Sequence, residues 1–182
     1  MFKNSALVPL IISREDVMFR PMVVSGLTVD PLTNSPIVIL KETDGERTLP
    51  IWIGLLEATA IASELEGIKF SRPMTHDLLK SIMDKMDVEV NKVEVCDLRN
   101  NTYYALIHMT HGDKEISIDA RPSDALALSL RMKAPIFVAE EVISKSKQID
   151  LTAEAEDTSD QGKKWQDILE KLNPEDFGKY KM

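Results

Sequence analysis

The apolar positions of this chain change period several times, and each change marks an element. Val23, Val24, Leu27 and Val29 suit a strand over 22–29, and residues 36–40 are apolar throughout, which suits a strand buried on both faces. Asp30, Pro31, Asn34, Ser35 and Pro36 have turn composition. The run Glu42-Thr43-Asp44-Gly45-Glu46 signals a hairpin into a third strand over 48–53. Gly54 ends that strand and the period lengthens. Ala58, Ile61, Ala62 and Leu65 recur at helical spacing within 55–66, and Gly67 stands at the usual C-terminal stop. A second helix is predicted over 75–86, with Leu78, Leu79, Ile82, Met83 and Met86 as its apolar stripe.

Strand alternation then returns over 88–98, 102–109 and 115–120, with turns at Arg99-Asn100-Asn101 and His111-Gly112-Asp113. Residues 123–132 form a helix apolar around most of its circumference, which implies deep burial. A short strand over 135–138 follows, and Glu140, Glu141, Val142 and Ile143 lead out of the domain. The pattern reads as one unit used twice, three strands and then helical material, with first strands near Met22 and Val88. The match is sharpest where Ile51 and Ile53 precede Glu57-Ala58, and where Ile116 and Ile118 precede Asp124-Ala125. Residues 1–17 form an arm or an overextended start, 18–143 the domain and 144–164 a polar linker. In 165–182, Trp165, Ile168, Leu169 and Leu172 make a short amphipathic tail.

Composition narrows the class. The chain has 182 residues, 43% of them apolar and 29% charged, enough to bury a core without disulfides or metals. Its formal net charge of −8 repels phosphate overall, which counts against a simple nucleic-acid binder and leaves only a local basic patch for that role. The single cysteine, Cys96, lies in an alternating run and reads as strand packing. It excludes a disulfide framework and a multi-cysteine zinc site. No apolar stretch approaches the ~20 residues of a membrane span, and no cleavage site follows the short apolar run near the start. A cytoplasmic protein with no membrane partner is the expectation.

Candidate chemistry concentrates in a phrase that occurs twice. Arg72-Pro73-Met74-Thr75-His76-Asp77 and Arg121-Pro122-Ser123-Asp124 each set a guanidinium, a proline, a hydroxyl and a carboxylate at the start of a helix. Thr75 and Ser123 suit N-caps, and Asp77 and Asp124 suit first turns, where the helix dipole favours negative charge. The arginines admit two readings. In one, Arg72 and Arg121 form ion bridges between the halves, with Glu57, Asp77, Asp119 and Asp124 as partners. In the other they clamp an anion together with helix N-terminal N–H groups.

The same four carboxylates stand at strand ends or helix starts and, if they converge, could hold Mg²⁺ or Mn²⁺. His76 beside Asp77 could act as a general base or simply occupy a first turn. His108 and His111, three apart on a strand, point to opposite faces and do not suit co-ligation. Gly-rich phosphate loops, nucleophile elbows, Cys–His pairs and kinase signatures do not occur.

Taken in order, Leu49-Pro50-Ile51-Trp52-Ile53-Gly54, Glu57-Ala58, Leu65-Glu66-Gly67, the two Arg-Pro phrases with their flanks and Ala134-Pro135-Ile136-Phe137-Val138 resemble the bifunctional nuclease domain family. The likeness runs from about Met22 to Ile143 and is similar to bacterial members even at the C-terminal end. It implies an α+β fold, with helices packed on a mixed or antiparallel sheet built from a duplicated β-β-β-α-α-like motif, and a homodimer. It also implies nuclease activity toward DNA and RNA, less firmly, because the family takes its name from plant members. The motif carried over is Glu57, Arg72, Thr75, His76, Asp77, Asp119, Arg121, Ser123 and Asp124.

The leading expectation is a metal-assisted nuclease. In it Glu57, Asp77, Asp119 and Asp124 are metal or base groups, His76 is a proton carrier, and Arg72 and Arg121, with Thr75 and Ser123, hold phosphate. The rivals are a non-enzymatic regulatory or assembly module with structural ion pairs, and a small-anion or nucleotide-binding domain.

Overall fold

The computed structural model describes residues 18–146. The arm expected over 1–17, the tail over 165–182 and the linker beyond 146 lie outside the described residues. In chain order the elements are β1 (Phe19–Val29), β2 (Pro36–Glu42), β3 (Thr48–Trp52), α1 (Leu55–Leu65), α2 (Thr75–Lys85), β4 (Val88–Arg99), β5 (Thr102–His111), β6 (Lys114–Ala120), α3 (Pro122–Met132), β7 (Ile136–Ala139) and α4 (Glu140–Ser146).

The strands form one seven-stranded sheet in the order β3-β2-β1-β7-β4-β5-β6. Two antiparallel meanders, β1-β2-β3 and β4-β5-β6, lie on either side of β7. That strand pairs antiparallel with β1 and parallel with β4. The expected duplication is therefore visible in the topology: each meander is followed by a helix, α1 after β3 and α3 after β6. The sheet is mixed and the fold α+β, as expected. The turn between β4 and β5 follows from its residues, since Asn100 and Asn101 both take left-handed φ values, 48° and 58°, which asparagine tolerates and a tight hairpin requires.

The core is built between the sheet and α3. Eight residues of this eleven-residue helix are buried, with Leu126 and Leu128 closed off from solvent against Val93, Val95 and Val138. Each such leucine contributes about 1.5–3 kcal/mol by leaving water. α1 packs on α3, and α2 packs on α3 and β4.

Several expectations are corrected. Residues 140–143 do not lead out of the domain, and 144–146, expected to begin the linker, continue them as α4, with Val142 and Ile143 buried and the Glu140 N–H donating to the Met18 carbonyl at 2.9 Å. Thr75 and Ser123 are not N-caps. The caps are Met74 and Arg121, with ψ values of 175° and 144°. Proline explains the shift at α3: Pro122 takes the first helical position, and its ring forces the preceding Arg121 into extended backbone. At α2 the Asp77 carboxylate does the capping by accepting the Met74 N–H at 2.9 Å.

The apolar stripe of α2 also faces outward. Leu78 is 53% and Ile82 46% exposed, and Met83 is the stripe residue that packs against the core cluster. Among the described residues, no helix is long and apolar enough to cross a membrane.

This division predicts unequal costs for equal truncations. Leu126→Ala should destabilise by about 2–5 kcal/mol in urea unfolding. Leu78→Ala should change stability by less than about 0.5 kcal/mol. A large loss from Leu78→Ala would mean that another chain or segment covers α2 in solution.

Candidate functional site

The starts of α1, α2 and α3 are drawn together by polar contacts. Arg121, the N-cap of α3, leaves the backbone beside the start of α1. Its Nη1 lies 2.9 Å from Glu57 Oε1, and its Nε donates to Asp124 Oδ2 at 2.8 Å. Glu57 and Asp124 are the carboxylates that match one another in the duplicated units, so one arginine joins equivalent acids of the two halves. Gly54 makes room on the α1 side, because a Cβ there would collide with the Glu57 carboxylate. The other Asp124 oxygen, Oδ1, lies 3.1 Å from His76 Nε2 in the first turn of α2. The result is a chain of contacts, Glu57–Arg121–Asp124–His76. The Arg121 side chain is 66% exposed while the His76 ring is largely covered.

Asp77, next to His76, turns away from this chain. Its Oδ1 accepts from Arg131 Nε at 2.6 Å. Arg131 is 3% exposed in its side chain, and its Nη1 donates to the carbonyls of Ala60 and Ala127, each at 3.0 Å. One guanidinium thus bonds to α1, α2 and α3 together. Burial pushes the Asp77 carboxyl up. The hydrogen bonds from Arg131 and the Met74 N–H, with the Arg131 charge, outweigh that and hold it below its ordinary value. Asp124, followed by Glu57, pushes Arg121 in the opposite sense, further toward its charged form.

The expected site residues therefore separate. Glu57, His76, Arg121 and Asp124 meet. Asp77 belongs to the neighbouring Arg131 pin, so the carboxylate that meets the His76 ring is Asp124 rather than the adjacent Asp77. Thr75 is exposed at the first position of α2, and Ser123 is buried in α3. Arg72 is exposed ahead of α2, and Asp119 is exposed on β6. Neither makes an ion pair among the described residues.

The expected convergence of four carboxylates does not occur. Among the described residues, no three His, Cys, Asp or Glu side chains gather as a metal seat requires. Glu57 and Asp124 already face a guanidinium, so the donor set does not fit a preformed Mg²⁺ or Mn²⁺ site. Arg131 was missed by sequence reasoning, although a lone charge in the last turn of a helix apolar around most of its circumference was its available signal.

Comparisons with known proteins agree with the resemblance drawn from the motifs. The profile of the bifunctional nuclease domain matches residues 38–150. An uncharacterized protein of Mycobacterium tuberculosis is 36% identical over 159 residues, which cover 85% of this chain and 95% of the relative. Bifunctional nuclease 2 of Arabidopsis thaliana is 32% identical over 105 residues, 56% of this chain but 32% of the plant protein. Bifunctional nuclease 1 of Oryza sativa subsp. indica is 30% identical over a stretch covering 56% of this chain and 32% of its own length.

The Arg131 pin predicts an acid dependence. Because the Asp77 carboxyl titrates lower in the folded chain than in the unfolded one, its contribution is fully present above the unfolded value and is lost as pH falls through the folded value. Stability measured by urea between about pH 6 and pH 2 should therefore drop on acidification, and Asp77→Asn should flatten the drop. Arg131→Met should cost roughly 3 kcal/mol at neutral pH, the low end for breaking a buried pair, because Asp77 keeps some contact with water. An unchanged acid slope in Asp77→Asn would contradict the assignment.

Proposed function

The chain belongs to the bifunctional nuclease domain family, and on that premise we propose that it hydrolyses phosphodiester bonds of DNA and RNA at the Arg121–Asp124–His76 cluster. The observation that carries this reading is that one carboxylate, Asp124, touches both a phosphate-binding type of side chain and a proton-carrying one. In this reading Arg121 turns from Glu57 toward a non-bridging phosphate oxygen, assisted by the positive end of α3. Asp124 orients His76 and supports the positive charge that the ring gains when it takes a proton from the attacking water. Arg72, exposed before α2, offers a second cation for the backbone of the substrate.

The rival reading makes the cluster a set of structural ion pairs within a regulatory or assembly module. Its support is that Glu57 and Asp124 already neutralise Arg121. Magnitudes weigh against it. Bridges as exposed as those of Arg121 contribute about 0–1 kcal/mol to stability, and the buried Arg131 already ties the helices together. Arg121 is therefore better used for something other than holding the fold.

The test is purified protein on single- and double-stranded DNA and RNA, in EDTA and with Mg²⁺ or Mn²⁺, beside His76→Gln, Asp124→Asn and Arg121→Ala. The His76 and Asp124 variants should lose about 10²–10⁴-fold in cleavage rate. Arg121→Ala should lose activity with a melting temperature within a few degrees of wild type. Equal cleavage by wild type and His76→Gln would identify a contaminating nuclease. A marked fall in melting temperature for Arg121→Ala without any cleavage in wild type would favour the structural module.

A further inference from the structure

A second polar row lies on the sheet, separate from the helix starts. The register sets Lys92, His108 and Ser117 side by side across β4, β5 and β6. Glu94 stands two residues along β4 on the same face. The opposite face carries Val93 and Ile107, which are buried in the core. Ser117 Oγ lies 2.9 Å from His108 Nδ1, and His108 Nε2 lies 2.7 Å from Glu94 Oε2. Glu94 is buried, and its other oxygen accepts from Lys92 Nζ at 2.5 Å.

The protons follow from this chain of contacts. Burial pushes the Glu94 carboxyl up, but the hydrogen bonds from Lys92 and His108 outweigh it and keep the group ionised. A carboxylate can only accept, so His108 carries its hydrogen on Nε2. The Nδ1 lone pair of the neutral ring is then left to accept the Ser117 hydroxyl.

The edge of the sheet adds a third component. β6 is the last strand in the sheet order. It joins β5 through Gly112-Asp113, with Gly112 at φ 57° in the first turn position, as a two-residue II′ hairpin requires. In a two-residue hairpin the closing pair, here His111 and Lys114, is a hydrogen-bonded one, and such pairs alternate along the ladder. Met109 with Ile116 and Ile107 with Ile118 are then hydrogen-bonded pairs, whereas His108 with Ser117 is a non-hydrogen-bonded pair. Side chains approach closest at such pairs, which accounts for the Ser117–His108 contact. The Ser117 N–H also points away from β5, off the open edge.

The geometry points to Ser117 as a nucleophile toward carboxylic esters, with His108 as its base, the Ser117 N–H as an oxyanion donor and Glu94 as a positioning residue. The arrangement meets the general requirement of a nucleophile within reach of a base that a third group orients. Ser117 Oγ bonds to the acyl carbon as its proton passes to His108 Nδ1, and the carbonyl electron pair moves onto oxygen beside the N–H. When that pair returns, the bond to the alkoxy oxygen breaks, and the alcohol leaves with the proton from His108. Water repeats the sequence on the acyl-serine, releases the carboxylic acid and restores the hydroxyl. This activity is independent of the phosphodiester reading, since the two clusters share no residue.

The experiment treats the full chain with a fluorophosphonate probe, in which the serine oxygen replaces fluoride on phosphorus, and maps the adduct by peptide mass. One adduct is expected, on Ser117. It should be absent in Ser117→Ala and slowed about 10²–10⁴-fold in His108→Gln. Glu94→Gln should move the midpoint of the labelling pH profile to lower pH, because the imidazolium loses its supporting charge. A merely structural Glu94 would reduce the amount of folded protein without moving that midpoint. Ser117 is exposed, so Ser117→Ala should keep the wild-type melting temperature and serves as the decisive variant. No adduct in folded wild type, an adduct on another residue, or unchanged labelling of Ser117→Ala would overturn the proposal.

Discussion

The buried guanidinium of Arg131 is the constraint on which the arrangement of the helices depends. A charge this far from water is tolerated only when its donors are satisfied. Here the partners come from α1, α2 and α3, through Ala60, Asp77 and Ala127. α2 buries no residue of its own and has little hydrophobic reason to sit where it does. Asp77 therefore supplies much of what fixes its first turn, and with that turn comes His76. The position of His76 against Asp124 is in this sense a consequence of a bond made one residue further on.

The two arginines at the mouths and in the body of α3 divide labour by burial. Arg131, shut in, holds the fold. Arg121, open to solvent and balanced between two acids, is held in a defined direction at small energetic cost and can be redirected. That division bears on how an acidic chain of net charge −8 could engage a polyanion. Long-range attraction would be weak, and recognition would rest on short-range contacts at one exposed guanidinium rather than on a basic surface.

Much of this architecture was legible in the order of residues, and the failures have identifiable causes. Strand alternation, the Asn100-Asn101 turn, the deep burial of α3 and the doubled unit all follow from local patterns. The insertion of β7 between the meanders does not, because a four-residue apolar strand carries no information about its neighbours. The cap of α3 was displaced because proline sets the conformation of the residue before it, so the Ser123 hydroxyl after the proline is already inside the helix; at α2 the Asp77 carboxylate takes the capping bond instead. At the site, Arg121, Glu57 and Asp124 could be nominated from their places at helix starts. Their grouping depended on how the two halves pack. Pairing His76 with its sequence neighbour failed because adjacent residues on a helix point in different directions, about 100° apart. The row of Glu94, His108 and Ser117 escaped notice for a related reason: each is an ordinary polar position on its own strand, and the register between strands brings them together.

The proposed unit is His76, Asp124 and Arg121 acting together on phosphate. It is tested most directly by NMR titration of the full chain with a short phosphorothioate oligonucleotide, following the Arg121 Nε–H and His76 ring signals. Both sets should shift together and saturate at the same oligonucleotide concentration, and in Asp124→Asn the two should no longer move in concert. Shifts confined to other parts of the surface, with the Arg121 and His76 signals unmoved at saturation, would contradict the account.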